Sequence, residues 1–213
     1  MKKPIILFDI DYTLINTTVL TKEQKKEIYQ LLLAGNKLSW LNFEKINKSH
    51  AGQLKRTSCF SPVSYLDFLG KELEVDKVRK SLEEVFFKKT KPYQRALYRE
   101  TLKVIGFLNE NYRLGIFSEG IREYQLAKVN FSGISKYLTA NLIFIFAKKL
   151  TELEAIVDQL GEIIIVDDSP QIILGLEKIR GVSPIWIKRG PKAEGQELKV
   201  KTILSLNELI EKK

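Results

Sequence analysis

Two aspartates one residue apart, Asp9 and Asp11, close a short apolar run, Ile5 to Phe8. Alternate side chains of an extended chain point the same way. If the extended conformation persists past Phe8, both carboxylates project together. Two close carboxylates repel, and a divalent cation such as magnesium, which prefers oxygen ligands, is the usual compensation. A second acidic pair, Asp167-Asp168, follows the run Ile163 to Val166. Adjacent acids are expensive in a core and reasonable at a metal-lined mouth. Ser118 ends the run Leu114 to Phe117 with a hydroxyl, and the backbone N–H groups of Glu119 and Gly120 follow at an expected helix start, aimed to donate to a phosphate oxygen. Lys148 and Lys149 follow a fourth run, Leu142 to Phe146, and each offers a positive charge. Carboxylate, hydroxyl, lysine and acid pair, each at a strand end, make one coherent site for phosphoryl transfer. Plainer uses exist for each: Asp9 and Asp11 suit a turn, Ser169-Pro170 suits a helix cap, and Ser118 and the lysines are informative only in combination.

These groups need a scaffold. The four runs, with a fifth at Pro184 to Ile187, are short, continuous and rich in β-branched residues, as buried parallel strands are. Helical faces lie between them: Leu97, Leu102, Ile105 and Leu108; then Leu153, Ile156, Val157 and Leu160 before Gly161; then Ile172, Ile173, Leu176 and Ile179 before Gly181. Strands alternating with helices predict a parallel sheet covered on both faces, with ligands at the carboxyl ends of the strands. The expected α/β core is residues 1–15 and 96–213. Residues 16–95 break the alternation and read as an inserted helical segment. Ser61-Pro62 marks a helix start. Val78, Leu82, Val85 and Phe86 form one helical face, followed by Lys88 and Lys89 where a helix end favours cations. Thr90-Lys91-Pro92 is the expected return linker, with Lys91 biased to extended backbone by the proline. The aromatics Trp40, Phe43, Tyr65, Phe68, Phe86 and Phe87 are expected to fill the core of the insert rather than to form a stacking platform.

The 213 residues suit one α/β domain with an insert, and a hydrophobic fraction of 44% is enough for a real core. The net charge of +9 suits an anionic partner. The lysines are scattered, with pairs such as Lys25-Lys26 rather than a long basic run, which argues against nucleic acid. One cysteine, Cys59, rules out an intrachain disulfide and fits a reducing cytoplasm. His50 and Cys59 match no catalytic motif and are read as ordinary residues. The apolar run after Met1-Lys2-Lys3 is too short for a signal core, and no stretch approaches a membrane span.

The sequence resembles the haloacid dehalogenase superfamily along its whole length. Asp9-Ile10-Asp11-Tyr12-Thr13 is similar to the family's DxDxT signature, Ser118 to its hydroxyl motif, Lys148 or Lys149 to its third motif, and Asp167-Asp168 to the acidic-pair variant of its fourth. The insert resembles the family's C1-type helical cap. The resemblance implies a magnesium-dependent phosphohydrolase acting on a phosphate monoester of a small metabolite. Asp9 would be nucleophile and metal ligand. Asp11 would be general acid and base, with its carbonyl on the metal. Thr13 would support the turn, Ser118 and a lysine would hold phosphate, and Asp168 would be the main metal acid with Asp167 beside it. Ile172 stands where the family often has a further acid, so metal binding leans on Asp167 and Asp168. A phosphomutase, a dehalogenase and a non-catalytic binding protein are the alternatives; the presence of Asp11 favours phosphate chemistry over dehalogenation. Lysines of the insert and Arg56 are candidate contacts for an anionic substrate.

Overall fold

The run Ile5–Phe8 forms strand β1 with all four side chains buried, in a computed structural model that describes residues 3–34, 36–53 and 59–210. Further strands are β2 (Arg113–Glu119), β3 (Ile143–Phe146), β4 (Ile163–Asp167), β5 (Val182–Ile187) and β6 (Lys201–Ile203). They make one sheet in the order β3-β2-β1-β4-β5-β6, with every neighbouring pair parallel. Alternation along β1 sends Ile5 and Leu7 to one apolar cluster and Ile6 and Phe8 to the other, so both faces are covered. This is the expected Rossmann-like α/β architecture. The five expected strands are present, and β6 is an edge strand with two of its three residues exposed.

Helices α1 (Thr17–Leu33), α2 (Trp40–Gln53), α3 (Pro62–Glu72), α4 (Arg79–Phe87) and α5 (Lys91–Ala96) follow β1 before the chain returns to the sheet through α6 (Thr101–Leu108). Asn16 caps α1 by accepting from the Val19 N–H at 3.1 Å, and Ser61 caps α3 in the same way from Ser64. A stripe at i, i+4 spacing, Leu20, Gln24, Ile28 and Leu32, is the buried face of α1. Leu82, Val85 and Phe86 bury the face of α4, while Val78 stays in a preceding 3-10 turn. Phe43, Tyr65, Phe68 and Phe86 are buried as expected, but Trp40 stays 41% exposed against Tyr29.

The return linker differs from expectation. Lys91 is helical, because Pro92 sits in the first turn, where its missing N–H costs nothing, and Tyr93 and Ala96 bury fully. The two crossings between helices and sheet instead pair at 14–16 and 96–98. Asn16 N–H donates to the Ala96 carbonyl at 2.7 Å and Tyr98 N–H to that of Leu14 at 3.3 Å. Leu97 therefore lies outside α6, and Leu102 is exposed, its expected place taken by Val104. Helix α7 (Arg122–Ser132) follows β2, α8 (Leu153–Leu160) precedes β4, and α9 (Pro170–Leu176) follows it, with Ile179 beyond its end. No helix of the described residues is long and apolar enough to cross a membrane.

Candidate active site

Strand register brings the polar residues together. Phe8 pairs with Ile116 on one side and Val166 on the other, so Asp9, Ser118 and Asp167 all emerge at one edge of the sheet. The strand order reverses there, between β1 and β4, leaving a crevice. The Asp9 N–H is tied to the Val166 carbonyl at 2.9 Å. The chain then turns: Tyr12 takes φ 56°, and the N–H groups of Leu14 and Ile15 both donate to the Ile10 carbonyl at 3.0 Å. These backbone bonds hold the turn. Thr13 is fully buried, and its Oγ1 makes no hydrogen bond among the described residues.

Asp9 is 5% exposed. Its Oδ1 accepts from Ser118 Oγ at 3.1 Å and from Lys149 Nζ at 2.7 Å. Two donors on one oxygen fix the rotation of the carboxylate. Lys149 also pairs with Asp167 Oδ2, while Asp167 Oδ1 accepts from the Ser169 N–H at 2.8 Å. Of the two adjacent lysines, the structure brings in Lys149, which is buried, and leaves Lys148 exposed. Burial lowers the Lys149 pKa, but Asp167 and Asp9 outweigh it and hold the pKa above the ordinary value. For Asp9 burial dominates: with Asp167 and Asp11 adding repulsion, it outweighs Lys149 and pushes the carboxyl up to about 7. Asp168 is buried beside these groups, its carbonyl accepting from Trp186 Nε1 at 3.0 Å.

Asp11 is held by residues that sequence reasoning missed. Lys128 Nζ lies 2.7 Å from both of its oxygens, Thr17 Oγ1 donates to Oδ1 at 2.6 Å, and Gln125 Nε2 donates to Oδ2 at 3.0 Å. Burial would raise the pKa of Asp11, but Lys128 and these hydrogen bonds outweigh it, so the carboxyl is held below its ordinary range. A signal was present in the sequence. Gln125 and Lys128 are three apart on α7, among the buried Tyr124, Ala127 and Val129, and a lysine on a buried helical face needs an acidic partner.

The expected phosphate-binding amides are only partly available. The Gly120 N–H is committed to the Phe146 carbonyl at 2.9 Å. The Glu119 side chain accepts from the Lys149 N–H at 3.2 Å, and its carbonyl accepts from Gln125 at 2.8 Å. Gly120 has φ 148°, and an added Cβ would lie 2.8 Å from Gln125 Nε2, so glycine is required there. Arg56 lies outside the described residues.

Four carboxyl groups (Asp9, Asp11, Asp167, Asp168) and two lysines (Lys128, Lys149) share a poorly solvated crevice. The surplus of carboxyl groups over lysines and the all-oxygen donor set fit a divalent magnesium-type ion. Among the described residues no three acidic, histidine or cysteine side chains cluster closely enough to hold a metal. An ion here would keep several waters, as magnesium does. A cavity of about 370 Å³ opens from Asp11 and Lys128 toward α1, α2 and α4.

No protein-family model matches the sequence, and no curated protein matches it. Solved structures do. The chain is similar to a haloacid dehalogenase-like hydrolase from Burkholderia xenovorans, with TM-score 0.73 and 16% identity over 99% of this chain and 96% of that one. It is similar to a HAD phosphatase from Thermococcus onnurineus, with TM-score 0.59 and 21% identity over 98% and 96%. It is also similar to the HAD-hydrolase YfnB from Bacillus subtilis in a magnesium-bound form, with TM-score 0.58 and 18% identity over 98% and 97%. The chain has the haloacid dehalogenase-like fold over essentially its full length.

Proposed function

We propose that this protein is a magnesium-dependent phosphohydrolase that cleaves a phosphate monoester through an aspartyl-phosphate on Asp9. One observation carries the reading: the Asp9 carboxylate is buried at the crevice and oriented by Ser118 and Lys149 on the same oxygen. The magnesium-bound Bacillus protein and the Thermococcus phosphatase support it by analogy of fold. The Asp9 carboxylate, Asp168 and the Asp11 carbonyl would hold the metal. Asp167 is turned to Lys149 and Ser169 and would act by placing that lysine. Bound there, magnesium would supply positive charge opposite the phosphoryl oxygens.

In the first half, the Asp9 carboxylate attacks phosphorus and the ester P–O bond breaks, giving aspartyl-phosphate and the alcohol. The proton for the leaving oxygen passes from Lys128 Nζ through Asp11, whose oxygens lie 2.7 Å from it, leaving Lys128 neutral and Asp11 a carboxylate. In the second half Asp11 takes a proton from water as that water attacks phosphorus and frees Asp9, and passes it back to Lys128, which restores the pair. Ser118 and Lys149 hold the phosphoryl oxygens in both halves. We take residues 16–95 as a cap over this site. The cavity is lined by α1, α2 and α4 on one side and by Tyr124, Gln125 and Lys128 on the other, so movement of the cap would reshape it. The Bacillus structure is described as revealing interdomain movement. Phosphate release from p-nitrophenyl phosphate should require magnesium, vanish in EDTA and return when magnesium is restored. Full turnover in EDTA removes the metal from the scheme, and no turnover of any phosphate ester removes the hydrolase reading.

A further inference from the structure

We propose that the leaving group of the substrate is a compact, largely apolar ring alcohol with few polar substituents, and not a sugar or nucleoside. This rests on the hydrolase reading and deepens it. The cavity beside Asp11 and Lys128 is where the alcohol half of a phosphate ester on Asp9 would lie, and its volume of about 370 Å³ is at the small end for ligand pockets. Its floor is aromatic: Phe60 lies 5.8 Å from Tyr65, 6.1 Å from Phe86 and 5.6 Å from Tyr124, ring centre to ring centre.

Most of the buried polar side chains of the wall are already spent on other groups of the protein. Gln24 donates to Tyr93 Oη at 3.2 Å and accepts from Tyr124 Oη at 2.9 Å. Asn47 accepts from Tyr65 Oη at 2.8 Å and donates to the Phe43 carbonyl at 2.7 Å. The Gln125 amide nitrogen serves Asp11 and the Glu119 carbonyl. Tyr65, Tyr124, Asn47 and Gln24 thus show the cavity mainly ring faces and alkyl edges. His50 and the Gln125 Oε1 are the exceptions among the buried groups. His50 lines the cavity edge-on to Tyr65, has no hydrogen-bond partner among the described residues, and has its pKa lowered by burial; the Gln125 Oε1 is buried without a partner among them. Thr21, Lys25 and Glu119 complete the polar part of the lining at exposed or half-buried positions. A sugar would bring more hydroxyls than the buried groups can meet, and each unpaired hydroxyl costs roughly tenfold or more in binding. A hydrophobic ring loses nothing there and gains the aromatic contact.

Cyclohexylmethyl phosphate and glucose 6-phosphate test this directly, because both are primary alkyl esters on a six-membered ring with similar leaving ability. With the full chain and magnesium, kcat/KM for phosphate release should be about 100-fold higher for the carbocycle. Equal or better use of glucose 6-phosphate overturns the proposal and leaves the hydrolase reading intact. Two variants locate the effect. Phe60→Ala removes the central ring of the floor, and Ala51→Trp fills the cavity from an exposed helical position that folding tolerates. Each should lower the ratio of kcat/KM for the carbocycle over acetyl phosphate, whose leaving group is too small to fill the cavity, by about tenfold. An unchanged ratio in both variants overturns the proposal. If neither ester nor acetyl phosphate is turned over, the hydrolase reading fails on its own. Calorimetric titration of the same two esters then decides the cavity: preferential binding of the carbocycle, lost in Ala51→Trp, sustains it, and no preference overturns it.

Discussion

Lys128→Met keeps most of the side-chain volume and removes the charge that faces Asp11. In the native chain Lys128 is 4% exposed, with Nζ 2.7 Å from both Asp11 oxygens. The variant leaves Asp11 with the Thr17 and Gln125 donors but no cation. Removing one partner of a buried pair costs about 3–5 kcal/mol. The Asp11 side chain is 28% exposed, and water with the two remaining donors reduces the cost at pH 7 to about 2–3 kcal/mol. Protonation sets a ceiling, because neutralising an ordinary aspartate at pH 7 costs roughly 4 kcal/mol. The sign with pH follows from the depressed native pKa. The pair's stabilisation is present above the ordinary carboxylate range and is lost as pH falls through the folded pKa of Asp11. In the variant, burial raises that pKa, so the penalty also fades as Asp11 protonates. The stability gap between the two proteins should be widest at pH 7 and narrow toward pH 4. Urea unfolding in EDTA at both ends of that range measures it, and Asp11→Asn in the Lys128→Met background should recover part of the loss. A gap below about 0.5 kcal/mol at pH 7, within the range of neutral surface changes, or a gap equal at both pH values, would refute the buried pair.

Lys149→Ala should lower kcat by about 100- to 1,000-fold, the usual cost of losing a group that stabilises developing charge, while Lys148→Ala stays near the native rate; steady-state kinetics on p-nitrophenyl phosphate compare them. Gly120→Ala places a Cβ 2.8 Å from Gln125 Nε2 at φ 148° and should cost about 1–3 kcal/mol, read as a fall in Tm. Asp11→Asn removes the base of the second half-reaction, so in quenched-flow experiments phosphoenzyme should persist rather than disappear; unchanged decay would remove Asp11 from that step.

The strands were legible because each buried parallel strand is a contiguous apolar run, and Asp9, Ser118 and Asp167 converge because those runs are in register. β6 escaped notice because only Ile203 of its three residues is buried. Lys91 was misjudged because a local rule about the residue before proline lost to the packing of Tyr93 and Ala96. The choice between Lys148 and Lys149 was open in the sequence, since adjacent side chains diverge and only the backbone after β3 decides which turns inward. Lys128, Gln125 and Thr17 lie outside the strand-end motifs, and their link to Asp11 exists only once α1 and α7 fold over the sheet. The lowered pKa of Asp11 was not legible for the same reason: the lysine beside it is 117 residues away.

The central claim is that Asp9 becomes phosphorylated. The native protein with magnesium, mixed with acetyl phosphate and acid-quenched within milliseconds, should carry one phosphoryl group on the peptide containing Asp9 by mass spectrometry. The label should be absent from Asp9→Asn and persist in Asp11→Asn. Turnover by the native protein with no trapped phosphoryl group in either the native chain or Asp11→Asn, or equal labelling of Asp9→Asn, would contradict it.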